Sequence, residues 1–241
     1  MDKDTLGKDV IQIHELEDGV IMADVSIPGL MARFLTGMPP ATRGVKGVDL
    51  TTFQGLYAFF SGEEVARACE FKVLKKQVEW LSGRLAVKQA AASHLGGDGK
   101  TLRIDTEPEG APFLADYKNH PISITHSGDH AVALFSKEEG RKVAVDLEKV
   151  DEGRMPHVAR VAFSQAEIDE LTGSSDAEWY RRWTMKEAFL KYIGKGFHEN
   201  LKRVEILNRG ICHNGEVVSG IVSQSPPFHP GYRISMIWTA P

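Results

Sequence analysis

An α+β fold is the reading that three features of this 241-residue sequence support. Apolar residues recur at three-to-four spacing from Leu74 to Leu85, the period of a helix with one buried face. Short β-rich runs separated by turn sequences begin at Pro121 and return after Arg203. Ser-x-x-Glu patterns at Ser61, Ser164 and Ser175 mark helix starts between and beside those runs.

Taken in order, Ser61-Gly62-Glu63-Glu64 is a capping box, in which the hydroxyl and the carboxylate satisfy amides of the first turn, so a helix is expected from about Gly62. Leu74, Val78, Leu81 and Leu85 predict a second helix that stops at Gly96-Gly97, residues able to take the left-handed cap conformation. Ile122–Ile124, Ala131–Phe135 and Val143–Leu147 are expected to form three antiparallel strands, joined through Ser127-Gly128-Asp129 and the polar 137–142 run. Capping boxes at Ser164–Glu167 and Ser175–Glu178 follow, the second opening a helix that should reach Ile193 before Gly194. Strands are then expected at Arg203–Leu207, Ile211–His213, Glu216–Val222 and Tyr232–Trp238, with Asn214-Gly215 as a hairpin turn.

Composition excludes several classes of function. With 42% hydrophobic and 26% charged residues the chain is a folded globular protein, long enough for one large domain or two small halves. A net charge of -4 gives no general attraction for nucleic acid or an anionic membrane, so any anion site must be local. Residues 67–103 supply one candidate surface: eight Lys/Arg face three Asp/Glu there, whereas residues 1–66 hold five against ten. Cys69 and Cys212 lack metal-ligand spacing, so neither a disulfide framework nor structural zinc is expected, and a reducing cytoplasm fits. The opening MDKDTLGKDV has no apolar core, and Ile21–Leu35 is broken by Asp24, Pro28 and Arg33; neither a signal peptide nor a membrane span is expected.

Chemistry-bearing residues fall at three places. Along a strand, Asp146 and Glu148 point to one side and Val145 and Leu147 to the other. Paired carboxylates repel unless a cation joins them, and hard oxygen ligands suit magnesium; on spacing alone they are equally one solvated face of an edge strand. Tyr180, Thr184, Glu187 and Lys191 form one stripe of the helix opened by Ser175. Facing Asp146 and Glu148, that stripe would add a third carboxylate and an amine able to stabilise a phosphate; by itself Glu187–Lys191 is a common surface ion pair. Lys186, about 100° round the helix from Glu187, would reach a phosphate or solvent. Thr125-His126-Ser127-Gly128 leaves a strand through a turn where amides, a hydroxyl and an imidazole can converge on phosphate. No Walker A loop, dinucleotide fingerprint or GxSxG elbow is present, and Gly194-Lys195-Gly196 reads as a helix cap.

In their order and spacing, Ile124-Thr125-His126-Ser127-Gly128, Val145-Asp146-Leu147-Glu148 and Trp183-Thr184-Met185-Lys186-Glu187-Ala188, with Lys191, Gly194 and Gly196, resemble the 4'-phosphopantetheinyl transferases of the surfactin-synthetase-activating type. The resemblance covers about residues 122–197 and extends weakly through Trp80–Lys88. It implies a monomer of two similar α/β halves related by pseudo-twofold symmetry, with coenzyme A and magnesium in the cleft between them. We expect residues 1–120 to form the coenzyme A-binding half and residues 121–241 the half with the magnesium and catalytic motifs. The implied reaction moves the phosphopantetheine arm of coenzyme A to a serine of an apo acyl or peptidyl carrier protein and releases adenosine 3',5'-bisphosphate.

By the same resemblance Asp146, Glu148 and Glu187 match the magnesium ligands, Thr125 and His126 a phosphate-binding pair, and Lys191 a residue that contacts the pyrophosphate and assists catalysis. Glu187, directly or through a metal-held water, is the expected general base. The sequence departs from the family at Gly110-Ala111-Pro112, where a basic residue usually stands before the proline, and at Thr125, which replaces a serine. Arg67, Arg84 and Lys88 of the basic segment are therefore expected to hold a coenzyme A phosphate. The other readings are a coenzyme A or carrier-protein binding module without activity, and a magnesium-dependent hydrolase of nucleotide diphosphates.

Overall fold

A computed structural model describes residues 6–42, 44–196 and 199–241, so the first five residues of the polar N-terminal decapeptide lie outside it. The described chain is a mixture of helices and mainly antiparallel sheets, an α+β architecture, in two compact units. The first comprises residues 1–106 and 112–140, and the second residues 107–111 and 141–241. Among the described residues no helix is long and apolar enough to cross a membrane.

The first unit begins with β1 (Ile11–Glu15), β2 (Val20–Ser26) and α1 (Ile27–Phe34), all within the stretch where the sequence offered no motif. Helix α2 (Gly62–Cys69) carries the expected capping box, with both reciprocal bonds of Ser61 and Glu64 formed. Helix α3 (Leu74–Leu95) ends at Gly96 with a positive φ of 74°, as the Gly-Gly pair predicts. Strands β3 (Ile104–Thr106) and β4 (Pro112–Leu114) form a small ribbon. Strands β5 (Ile122–Ser127) and β6 (His130–Ser136) complete a sheet of order β1-β2-β6-β5. Helix α3 packs across it, burying Val78, Leu81 and Leu85 with Ile21, Ala23, Val25, Ala133 and Phe135. The approach is close: a Cβ on Gly83 would lie 2.8 Å from Ile124 Cγ2, so only glycine fits without a shift. Because β5 bonds to β6 and β6 to β2, the first unit continues past the 120/121 boundary expected from sequence.

The second unit holds β7 (Val143–Lys149), α4 (Met155–Ala162), α5 (Gln165–Leu171) and α6 (Asp176–Tyr192). Strands β8 (Val204–Leu207), β9 (Gly210–His213) and β10 (Glu216–Val217) form one meander, whose last turn has Asn214 and Gly215 at positive φ. Strands β11 (Ile221–Gln224) and β12 (Tyr232–Thr239) join β7 in the order β11-β12-β7. This corrects two expectations. β7 pairs with β12 rather than extending the β5–β6 pair, and the 216–222 run divides between two sheets at Gly220, whose φ is 73°. The capping box at Ser164 is formed, but Ser175 makes no side-chain cap bond; Glu178 instead binds Arg181 Nε and Nη2 at 2.8 and 2.7 Å.

One device recurs in both units. In the first, Glu64 of the α2 capping box accepts a bond from the buried Lys88 ammonium of α3 at 2.8 Å. In the second, Glu167 of the α5 box accepts one from the buried Lys186 of α6 at 2.7 Å. Lys186 also donates to the Ala162 and Leu201 carbonyls, while Glu167 accepts from the Ile206 amide at 2.9 Å. Removing one partner of such a pair leaves a buried charge uncompensated, so Lys186→Ala should cost about 3–5 kcal/mol in urea unfolding. Ser61→Ala should cost about 1 kcal/mol, whereas Ser175→Ala should be nearly neutral by the same measurement, since no cap bond is lost there.

Candidate active site

Strand β7 has apolar residues on one face and Ala144, Asp146 and Glu148 on the other, and in β12 Ile237, Ser235 and Arg233 stand opposite those three. Helix α6 lies against that second face, where Ile237 packs with Met185 and Ala188 and Thr184 Oγ1 is 2.8 Å from Ser235 Oγ. Ser225 of the segment after β11 extends this buried hydroxyl chain, 2.7 Å from Ser235. The expected stripe of α6 therefore does meet β7. Lys191 Nζ donates to Asp146 Oδ1 at 2.8 Å and to the Val145 carbonyl at 2.9 Å. Tyr180, at the other end of the stripe, donates to the Asp151 carbonyl at 3.3 Å.

Glu187 lies between these ends, half-buried, and its Oε1 is shielded from solvent without a hydrogen-bond partner. Burial, followed by the negative charges of Asp146 and Glu148, pushes its carboxyl up to about 7, although Lys191 and Lys186 oppose the rise. The cluster thus carries more negative charge than its own lysine compensates. A hard divalent cation among Asp146, Glu148 and Glu187 would relieve that excess with oxygen ligands alone, so these residues fit magnesium.

Two lysines expected at a phosphate are turned inward. Lys186 is fully buried, with Glu167 and two carbonyls as its partners, and Lys88 is buried against Glu64 and the Lys100 carbonyl. Neither ammonium is presented to a ligand. Arg84 and Arg67 remain suitable for an anion. The Arg84 guanidinium stacks 3.5 Å from the Trp80 ring centroid and its Nε is buried without a partner. Burial first, then the neighbouring Arg67 charge, lower its proton affinity to about 10 against the attraction of Glu64, so it stays charged at neutral pH. Arg67 is exposed and paired with Glu70.

At the end of β5, Thr125 is buried and His126 points to the opposite, more open side. A neighbour missed by sequence reasoning is Glu79 of α3. It is 4% exposed, and its carboxylate lies 3.7 Å from His126 Nδ1, 3.5 Å from Lys75 Nζ and 3.0 Å from Lys76 Nζ. Its isolation as an acid in a basic helix was the available signal. Ser235, the polar residue inside the apolar run Ile234–Trp238, was another.

Comparison with known proteins bears on the same segment. Residues 142–227 match the model of the 4'-phosphopantetheinyl transferase superfamily. The chain is 30% identical over 160 residues to the L-aminoadipate-semialdehyde dehydrogenase-phosphopantetheinyl transferase of Pongo abelii, a match covering 59% of this chain and 51% of that one. It is 28% identical to the 4'-phosphopantetheinyl transferase HetI of a Nostoc species, over 64% of this chain and 67% of HetI. With the 4'-phosphopantetheinyl transferase Sfp of Bacillus subtilis it shares 23% identity over 74% of this chain and 82% of Sfp. The chain spans about half the length of the animal relatives it matches. The matched 142–227 segment contains Asp146, Glu148, Glu187 and Lys191, the four groups that β7 and α6 bring to one face, so the part of the chain similar to the 4'-phosphopantetheinyl transferase superfamily is the part that carries the candidate site.

Proposed function

We propose that this protein transfers the 4'-phosphopantetheine arm of coenzyme A to a serine hydroxyl of an apo acyl or peptidyl carrier protein. The observation that carries the reading is the placement of Glu187, whose carboxyl is raised to about 7, on the same face as Asp146, Glu148 and the Lys191 ammonium. The serine Oγ forms a bond to the β-phosphorus of the coenzyme A diphosphate, and the bond from that phosphorus to the bridging oxygen breaks. Adenosine 3',5'-bisphosphate leaves with the bridging oxygen's electron pair. Magnesium held by Asp146, Glu148 and Glu187 would supply charge neutralisation at the diphosphate.

The chain's own groups have separate tasks. Glu187, on the face shared with Asp146 and Lys191, is assigned as the general base for the serine proton, directly or through a metal-held water that it orients. Asp146 and the Val145 carbonyl hold Lys191 Nζ in place, so its positive charge is oriented before the phosphate arrives. Arg84, stacked on Trp80, and Arg67 supply an anion surface in the other unit for a coenzyme A phosphate, without help from Lys88 or Lys186. Thr125 and His126 are assigned to the same co-substrate. Magnesium as the resident cation, a monomeric state and a cytoplasmic setting complete the proposal; both described cysteines are free thiols.

Incubation with coenzyme A, magnesium and apo carrier proteins, followed by intact mass of the carrier, tests the reading: a gain of the phosphopantetheine arm is expected. Glu187→Gln should lower that transfer on the order of 10²–10⁴-fold. A near-normal rate would remove Glu187 as the base. A raised carboxyl pKa stabilises the folded chain below about pH 4.5 and loses that contribution as pH rises through about 7. In metal-free protein, Glu187→Gln should therefore melt above wild type near pH 8 and level with it near pH 4. Scanning calorimetry across that range checks the sign.

A further inference from the structure

Cross-strand register singles out one more residue. Arg233 of β12 stands directly opposite Glu148 of β7 and on the same face as Asp146, Ser235 and α6. Directly opposed residues of an antiparallel pair have Cβ atoms about 4.5–5.5 Å apart, so the Arg233 side chain leaves the sheet beside that of Glu148. Arg233 is half-buried, and among the described residues its one hydrogen bond runs from Nη1 to the Tyr232 carbonyl at 2.6 Å. It forms no ion pair there, although its cross-strand neighbour is a carboxylate. Nearby cations are engaged elsewhere: Arg181 is bidentate to Glu178, Lys191 is held by Asp146, and Lys149 lies on the opposite face over the Tyr232 ring.

Charge balance gives this position a task. Three carboxylates, Lys191 and one divalent cation sum to zero, so a diphosphate enters with its negative charge uncompensated. Arg233 is a further cation on the β7–β12 face, besides Lys191, that can meet it, and a guanidinium fork matches two phosphate oxygens. We propose that Arg233 is a phosphate-binding residue of the site, engaging the coenzyme A diphosphate beside Glu148. The inference rests on the transferase reading above and assigns it a residue that neither the sequence motifs nor the family comparison singled out.

The test measures coenzyme A binding by calorimetry in the presence of magnesium, with no carrier and no turnover, alongside steady-state transfer. Arg233→Gln is expected to weaken coenzyme A binding about tenfold, with Arg233→Lys recovering part of the loss, since charge is kept and the fork is not. The KM for the carrier should stay within about twofold, and thermal melting should be unchanged. Unaltered coenzyme A affinity in the Gln variant would overturn the proposal, as would a defect confined to the carrier KM, which would mean a contact with the carrier's acidic surface. If wild type binds coenzyme A but modifies no carrier, the transfer reading fails while the binding comparison still decides Arg233. No binding by wild type would reject both.

Discussion

A buried lysine on the carboxylate of a capping box organises each half of this chain. In α2 and α5 the box glutamate would ordinarily serve only its own helix end, accepting the N-cap amide. Here the same Oε2 atom also receives an ammonium from the next helix, Lys88 on Glu64 and Lys186 on Glu167. Such a contact fixes the rotation of the long helix about its axis, because a buried charge tolerates no alternative without a partner. For α6 the consequence is direct. With Lys186 turned inward, Glu187 and Lys191 are turned toward β7.

The candidate site is then a meeting of two periodicities. The two-residue repeat of β7 sends Asp146 and Glu148 to one side, and the three-to-four repeat of α6 delivers Glu187 and Lys191 to meet them. Burial, and after it the repulsion this creates, raises the proton affinity of Glu187. The first unit is built differently, with a helix lying so close to its sheet that Gly83 admits no side chain and a guanidinium stacked on an indole.

Much of this was legible in the sequence, and the failures share a cause. Capping boxes at Ser61 and Ser164, the glycine stops after α3 and α6, and the alternation of β7 are local statements, fixed by a few adjacent residues. Order and spacing of motifs pointed to Asp146, Glu148, Glu187 and Lys191, which β7 and α6 bring near one another. Lys88 and Lys186 were misplaced because a lysine on a helix looks solvent-directed until a buried glutamate from another element accounts for it. The strand partners of β7 and the role of Ser235 were invisible for a similar reason: residues nearly ninety positions apart meet only through the sheet. At Ser175, Glu178 had two arginines within reach, and the local cap pattern lost to those charge-assisted bonds.

The register between β7 and β12 has a broader consequence. Both faces of β7 are committed, one to apolar packing and one to the site, so sliding by a single residue would exchange every side chain at once. Val145 and Leu147 would then enter the polar face while both carboxylates were forced into the apolar layer. No gradual loss connects these two arrangements. The strand therefore acts as its own proofreader: a chain that pairs out of step loses its carboxylate cluster and its core together, so a misassembled copy is removed by instability.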